Sequence, residues 1–174
     1  MKLRCDLHIN GGARKLILVA GPNENADHLA LKLAAYILFW KDEPIVGASA
    51  KHPALLGQEF VPDLMALDDG GQVRLWVECG QTTINKLAKA ARRFPRARIV
   101  VMKALEREAA RLRGELEAEH GRPGRVEILA WPGGAFKEWL GALQEKTEAY
   151  GEGGGLSLNL VINEQPVSAD LKVY

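Results

Sequence analysis

The chain has 174 residues, of which 47% are hydrophobic and 26% charged, so it can bury one sizeable core and matches the size of an ordinary domain. Lysine and arginine together number 23 against 22 acidic residues, which gives a net charge of +1. This balance excludes a global electrostatic drive toward nucleic acid, membrane surfaces or acidic ligands. We therefore expect a single domain, residues 1–174, in which any binding patch is local.

The cysteines and the N-terminal residues indicate in which cellular compartment the protein is located. Cys5 and Cys79 lie far apart in strand-like runs, with no CxxC pair, which favours buried thiols in a reducing compartment over a disulfide or a zinc site. The N-terminus lacks the apolar stretch of a signal peptide, and no apolar run approaches the length of a membrane span. The sequence thus predicts a soluble, cytoplasmic protein with no membrane partner.

The first third of the chain predicts a hairpin, a helix and an irregular segment. Residues 2–9 and 15–20 are strand-like runs on either side of a glycine pair, a pattern typical of an antiparallel hairpin. Start signals at 22–25 precede apolar residues at helical spacing, so we expect a helix through about Trp40. Residues 42–59 hold several prolines and glycines, which predicts irregular chain that forms a rim or lid.

The rest of the chain alternates strands and helices. Turn residues at 68–72 separate two strand-like runs, which predicts a second hairpin, and the glycines at 151–155 predict a flexible connector before a closing hairpin. Such alternation predicts a parallel central region covered by helices. The predicted fold class is therefore α/β (α+β), with a mixed central sheet flanked by helices and with N- and C-terminal β-hairpins. The expected strands are 61–67, 73–79, 98–103, 126–131, 156–162 and 167–173, and the expected helices are 83–94, 105–119 and 135–148.

The second hairpin places two acidic residues opposite each other. A two-residue turn centred on its glycine pair would pair Asp69 with Gln72 and, counting outward, Asp63 with Glu78. Like charges in that position are unfavourable unless a proton or a cation intervenes. A divalent cation would remove the penalty, and oxygen-only ligands favour magnesium or manganese. A plainer alternative is that both acids are simply exposed near the turn.

Other polar residues are candidates to assist this pair of acids. Lys86 and Lys89 lie three apart on the helix that follows, where an ammonium would stabilise the charge of a phosphorane-like group; solvated lysines are the alternative. Glu24 falls with Asp27 in the expected first helical turn, where acids complement the helix dipole. The four histidines are scattered, so the sequence supports neither a nucleophilic triad nor a histidine metal site.

Several sequence blocks resemble one known family. These blocks are Pro22-Asn23-Glu24 before an apolar helix, Pro62-Asp63-Leu64, Leu75-Trp76-Val77-Glu78-Cys79-Gly80-Gln81, Lys89-Ala90 and the closing stretch 156–174. Together they are similar to the YaeQ family, a variant of the PD-(D/E)XK nuclease superfamily. The resemblance implies a restriction-endonuclease-like core in which Asp63 and Glu78 bind magnesium beside a phosphodiester, and in which Glu24 often joins them.

The chain departs from the superfamily pattern at the lysine. Gly80 stands where the Glu-x-Lys motif requires lysine, so Lys86 or Lys89 would have to substitute from the helix, with Gln81 orienting water. The first hypothesis is therefore a magnesium-dependent nuclease or phosphodiesterase acting on nucleic acid. In it Asp63, Glu78 and Glu24 are the metal ligands and Mg²⁺ or Mn²⁺ is the cofactor.

Two alternatives stay open at this point. The second hypothesis is a non-catalytic module that keeps the nuclease fold and binds nucleic acid or protein. Its carboxylates would hold a structural cation or pair with Lys86, Lys89 or Arg92. The third hypothesis is a protein-interaction role through the exposed edges of the terminal hairpins. The sequence selects no oligomeric state.

Overall fold

Four α-helices and two mixed β-sheets make up the regular structure of the described residues, which are 1–119 and 125–174 of a computed structural model. The mixed α+β class that the sequence predicts is confirmed. The helices are α1 (Ala26–Leu38), α2 (Ile84–Arg93), α3 (Glu106–Ala118) and α4 (Ala135–Ala142). The strands are β1 (Lys2–Ile9), β2 (Gly12–Val19), β3 (Ile45–Val46), β4 (Leu64–Leu67), β5 (Val73–Cys79), β6 (Arg98–Lys103), β7 (Val126–Ala130), β8 (Lys146–Gly154), β9 (Ser157–Ile162), β10 (Gln165–Asp170) and β11 (Lys172–Val173).

The central sheet has six strands in the order β11-β7-β6-β5-β4-β3. Strands β5, β6 and β7 run parallel, whereas β4 pairs antiparallel with β5, so the predicted parallel centre and second hairpin are both confirmed. One face of the sheet packs against α2 and α3 through a core that includes Trp76 and Leu87. The other face packs against α1 through Val77 and Cys79. Successive residues of β5 thus point into two different cores.

A second sheet of five strands joins the two terminal hairpins, in the order β10-β9-β8-β1-β2. Strands β1 and β2 pair antiparallel, as do β9 and β10, which confirms both predicted hairpins. Helix α1 contacts strands of both sheets, and all its residues from Leu29 to Leu38 are buried, including Lys32. Asn25 caps this helix by accepting a hydrogen bond from the His28 N–H at 3.0 Å.

The predicted last helix and the glycine connector after it are wrong in part. Helix α4 ends at Ala142, and β8 takes the place of the rest, pairing parallel with β1 and antiparallel with β9. At Gly151 and Gly153 of this strand, neighbouring chain occupies the space that a side chain would need. A Cβ on Gly151 would stand 2.2 Å from the backbone oxygen of Asn159, and one on Gly153 would stand 2.7 Å from Ile37.

The turn between β4 and β5 is wider than predicted. A bulge at Arg74 of β5 shifts the register next to the turn, since Ala66 pairs with Leu75 and Leu67 with Val73. The Asp68 N–H donates to Gln72 O at 2.8 Å. The prediction that Asp69 pairs with Gln72 is therefore wrong. The Asp68 side chain stabilises the longer turn, because its Oδ1 accepts a hydrogen bond from the Gln72 N–H. Farther from the turn, Leu64 pairs with Val77, which is the predicted register.

Two segments are more regular than predicted. Residues 42–59 are not wholly irregular, because β3 pairs with β4 at the edge of the central sheet and Pro53–Leu55 form a 3-10 turn. The chain end also differs: β10 stops at Asp170, and β11 then pairs with β7 of the other sheet. The C-terminal segment therefore connects the two sheets.

Cys5 and Cys79 are buried, as predicted. Among the described residues, we find no helix long and apolar enough to cross a membrane.

Candidate metal centre

Four polar side chains meet where the start of α1 lies beside the start of β4. His28 and Lys32 lie four residues apart on one side of the helix. Glu24 stands four residues before His28, ahead of the N-cap, and its side chain also lies near Asp63. His28 Nε2 lies 3.0 Å from Asp63 Oδ1 and 3.6 Å from Glu24 Oε1. Lys32 Nζ lies 2.7 Å from Glu24 Oε1 and 3.6 Å from Asp63 Oδ1. We call these four residues the Asp63 cluster.

Asp63 is held as an ionised carboxylate. Its Oδ2 accepts a hydrogen bond from the Cys79 N–H at 2.8 Å, and its Oδ1 shares one with His28. Burial alone would raise the pKa of Asp63, but these hydrogen bonds and the charges of His28 and Lys32 hold it below its ordinary value. The strand end and the helix thus combine to stabilise the negative charge of one side chain.

Glu24 precedes the helix, since Asn25 is the N-cap, so its predicted place in the first helical turn is wrong. Its Oε2 accepts from the Gly21 N–H at 3.1 Å and its Oε1 accepts from Lys32 at 2.7 Å. Burial works against its charge, but the bonds from Lys32 and Gly21 keep the pKa of Glu24 below its ordinary value. Glu24 therefore neutralises a buried ammonium instead of complementing the helix dipole.

Glu78 lies on the face of β5 opposite to the Asp63 cluster, and its side chain points toward α2. Its side chain is 1% exposed; Oε1 accepts from Trp76 Nε1 at 2.7 Å and Oε2 accepts from Lys86 Nζ at 2.9 Å. Burial raises the pKa of Glu78 to about 7, and the Lys86 ammonium opposes this rise without cancelling it. The charge of Asp63 adds to the rise, so the two sites are coupled. We call Trp76, Glu78 and Lys86 the Glu78 centre.

Lys89 and Gln81 lie outside both sites. Lys89 pairs with Glu59, and Gln81 is exposed on the wall of a groove that His28 also lines. The other predicted site residues are divided, with Glu24 and Asp63 in the Asp63 cluster and Glu78 and Lys86 in the Glu78 centre.

His28 and Lys32 are the members of the site that the sequence did not predict. The scattered histidines of the sequence did not support a histidine metal site, but the structure brings His28 within ligand distance of Glu24 and Asp63. A signal was present, because His28 and Lys32 follow Glu24 at helical spacing in an otherwise apolar helix. His120 lies outside the described residues.

The backbone explains why residue 80, two positions after Glu78, is a glycine and not a lysine. Gly80 has φ +78°, a left-handed conformation that favours glycine and would strain a lysine. The neighbouring strand β6 instead supplies an ammonium beside Gly80, because Lys103 Nζ donates a hydrogen bond to Gly80 O at 2.6 Å. Burial lowers the pKa of Lys103. Lys103 is therefore a third cation at the edge of the site.

The Asp63 cluster contains donors that fit a divalent cation. One ligand atom from each of Glu24, His28 and Asp63 lies within 4.8 Å of the other two. Two carboxylates suit magnesium or manganese, and the imidazole widens the choice toward transition metals. A cation in this position would compete with Lys32, whose ammonium already neutralises both acids.

A polar groove of about 400 Å³ opens beside the Asp63 cluster. We call it the α3 groove because α3 forms one of its walls. Its charges are mixed, with Lys103 and Arg111 facing the acids Asp27, Glu108 and Glu115. Its remaining lining residues are Asn23, Asn25, His28, Leu31, Gly80, Gln81, Thr82, Ala104 and Leu112.

These features define an α+β protein with two buried carboxylate sites at the end of one strand of a mixed sheet, each neutralised by a lysine. The family model described as YaeQ protein matches residues 10–150. The chain therefore belongs to the YaeQ family.

Two solved structures have a similar fold. The YaeQ protein from Xanthomonas axonopodis pv. citri is 21% identical with a TM-score of 0.73, and the match covers 99% of this chain and 96% of that one. The YaeQ protein from Pseudomonas syringae is 14% identical with a TM-score of 0.69, and the match covers 99% of this chain and 93% of that one. The comparison with curated proteins gives no significant match.

Proposed function

We propose that this YaeQ-family protein is a metal-dependent phosphodiesterase-type enzyme that acts on nucleic acid. One observation carries the proposal: Glu24 and Asp63 meet His28 and Lys32 beside the α3 groove. Glu78 and Lys86 lie on the opposite face of β5, where the charge of Asp63 is coupled to that of Glu78. Burying acids costs a fold stability, and acids with shifted pKa values cluster at functional sites. The cofactor is Mg²⁺ or Mn²⁺, held by Asp63 and Glu24 with Glu78 and His28 nearby.

The roles of the chain's own groups follow from their contacts. A bound divalent cation would supply Lewis-acid polarisation of a phosphoryl oxygen and a more acidic water. Lys86 and Lys103 place ammonium groups on either side of the strand end and stabilise negative charge. Glu78 holds or releases a proton near neutral pH, and Gln81 orients water from the groove wall. Lys86 takes the place of the missing strand lysine.

Calorimetric titration of Mg²⁺ and Mn²⁺ into the metal-free protein tests the metal. We expect saturable binding that disappears in the double variant Asp63→Asn, Glu78→Gln and persists in Asp69→Asn. Asp69 is the matched control because it is an exposed acid in the turn of the same hairpin. Equal binding by the double variant and the wild type would rule out Asp63 as a metal ligand.

Hydrolysis of a small phosphodiester, bis(p-nitrophenyl) phosphate, tests the chemistry. We expect turnover in Mg²⁺ or Mn²⁺, none in EDTA, and at least about a hundredfold loss in Asp63→Asn. The Asp69→Asn control should keep full activity. Turnover that survives in Asp63→Asn would come from a contaminant or another site and would contradict the assignment.

A non-catalytic module that binds nucleic acid is the second candidate. The observation in its favour is that Lys32 and Lys86 already neutralise their acids without a metal. For this candidate we expect oligonucleotide binding in EDTA and no cleavage in either metal. Cleavage that depends on Asp63 would exclude it.

A further inference from the structure

A second groove lies along α2, on the side of the Glu78 centre that faces away from α1. It has a volume of about 350 Å³ and runs between residues 57–60 and the helix. Trp76 forms part of its wall, and the Trp76 indole donates a hydrogen bond to Glu78. The groove therefore adjoins the Glu78 centre. We call it the α2 groove, and its lining residues are Gly57, Gln58, Glu59, Phe60, Trp76, Lys89, Ala90, Arg92 and Arg93.

The charge of the α2 groove is strongly positive. Lys89, Arg92 and Arg93 line it against a single acid, Glu59, among the described residues. Arg92 and Arg93 are exposed and form no ion pair within the described ranges. Because the C-terminal end of a helix favours cations, the two arginines are stable there without an acidic partner, and this leaves them able to bind an external anion.

The cations form a row that leads away from the Glu78 centre. Lys86, Lys89 and Arg93 are spaced three and four residues apart, so they share one side of α2. From Lys86 to Arg93 the row covers seven residues of rise along the helix, a span of about 10 Å. That length accommodates more than one phosphate of an extended strand, whereas a single small anion would use only part of it.

An aromatic ring stands beside the row. Phe60 is only partly buried and lines the groove, with the ammonium groups of Lys86 and Lys89 at 5.9 and 5.4 Å from its ring centroid. Basic grooves with an accessible aromatic ring are the usual sites for single-stranded nucleic acid, since a base stacks on the ring while cations contact the phosphates. A base in a duplex has no free face for such stacking.

The α3 groove differs in charge. Its three acids outnumber its two cations, so a phosphate chain would be repelled there on balance. The Lys89 and Glu59 pair is exposed on both sides, so a phosphate can take the place of Glu59 at little cost. The electrostatics therefore favour the α2 groove as the path of the backbone.

We infer that the α2 groove binds a single strand of nucleic acid, with phosphates on Lys89, Arg92 and Arg93 and a base stacked on Phe60. This inference rests on the proposed function and extends it, because it names a single strand as the substrate class and fixes the side from which the strand reaches the site. Glu59 acts as the competitor of the phosphate for Lys89.

Fluorescence anisotropy with a labelled oligothymidylate about 12 nucleotides long, in EDTA, tests the inference. We expect Arg92→Ala, Arg93→Ala to weaken binding about tenfold and to lower the slope of log K against log salt by about 1.4, the value for two single-strand phosphate contacts. Phe60→Ala should weaken binding with no change in that slope. Glu59→Gln should strengthen it. Circular dichroism verifies that each variant is folded.

The matched control is the double variant Arg107→Ala, Lys137→Ala, which removes the same charge from exposed positions on α3 and α4. Equal weakening in both double variants would mean that net charge alone matters and would overturn the inference. Tighter binding of the complementary duplex, or no binding of the oligonucleotide by the wild type, would also overturn it. Metal binding and hydrolysis of bis(p-nitrophenyl) phosphate test the proposed function independently of these outcomes.

Discussion

Asp63 and Glu78 come from paired strands and lie close enough to influence each other, yet their pKa values move in opposite directions. The pKa of Asp63 is lowered, and that of Glu78 is raised to about 7. Both side chains are largely buried, with 15% and 1% of their surface exposed. The difference lies in their partners. Asp63 has a backbone N–H, an imidazole and a buried ammonium, whereas Glu78 has an indole and one partly exposed ammonium.

Burial and hydrogen-bonding partners together set the pKa of a carboxylate. Asp63 is charged at every pH near neutrality, which suits a cation ligand. Glu78 exchanges its proton near neutral pH, which suits a group that gives or takes a proton. The sequence pattern predicts the same role, metal ligand, for Asp63 and Glu78. Their different surroundings in the fold suit them to different chemistry. The following variants test that distinction in metal-free protein.

Loss of Lys32 should have the largest effect. Lys32→Met leaves Glu24 and Asp63 without their shared ammonium, and we expect the free energy of unfolding to fall by about 4 kcal/mol at pH 7. Urea denaturation measures this loss. Lys41→Met, which removes an exposed lysine just after α1, should change stability by less than about 0.5 kcal/mol. Similar small losses in both variants would mean that Lys32 does not stabilise the two acids.

Glu78 should make the wild type less stable as pH rises. Its folded pKa of about 7 lies above the ordinary value of 4.5, so the folded state binds the proton more tightly than the unfolded state. Its stabilising contribution is complete below pH 4.5 and is lost as pH rises to about 7, a decline of about 3 kcal/mol. Glu78→Gln should lack this decline, as measured by urea denaturation from pH 4 to pH 8. A decline of equal size in both proteins would contradict the raised pKa.

Asp63 should show the opposite dependence on pH. Its folded pKa lies below the ordinary value of 3.8, so its contribution is present above pH 3.8 and is lost as pH falls through the folded pKa. We expect Asp63→Asn to cost about 2 kcal/mol at pH 7, because the imidazole and the Cys79 N–H lose a charged acceptor. The cost should shrink in acid. A cost that stays constant down to pH 2.5 would indicate a packing defect instead.

Much of the fold was predictable because local patterns and long-range pairing agree. The register that places Leu64 opposite Val77 was counted from the turn glycines, and it holds because the bulge in β5 offsets the longer turn. Strand β8 was not predictable from local signals, since Gly151 and Gly153 are required by close contacts with Asn159 of the next strand and with Ile37 of α1. The single-domain organisation stays a prediction, which one cooperative unfolding transition in calorimetry would support.

The site was predictable where a residue's role follows from its own strand or helix. Asp63, Glu78 and Lys86 were found in this way. Lys103 was not, because its place beside Gly80 depends on the register of the parallel pair β5 and β6, which the sequence pattern does not specify. Sequence spacing also did not distinguish Lys86 from Lys89. In the structure Lys86 pairs with the buried Glu78, and Lys89 pairs with the exposed Glu59.

The two helix lysines therefore give the smallest and sharpest test of the comparison. Lys86→Ala removes the ammonium that lowers the pKa of Glu78, so Glu78 should stay protonated to a higher pH. The decline of the free energy of unfolding should then extend above pH 7. We expect the substitution to cost about 1 kcal/mol of stability at pH 7. Lys89→Ala breaks only an exposed ion pair and should cost less than about 0.5 kcal/mol with no shift of the decline. If Lys89→Ala moved the decline and Lys86→Ala did not, Lys89 would be the partner of Glu78, and the division between the Glu78 centre and the α2 groove would fail.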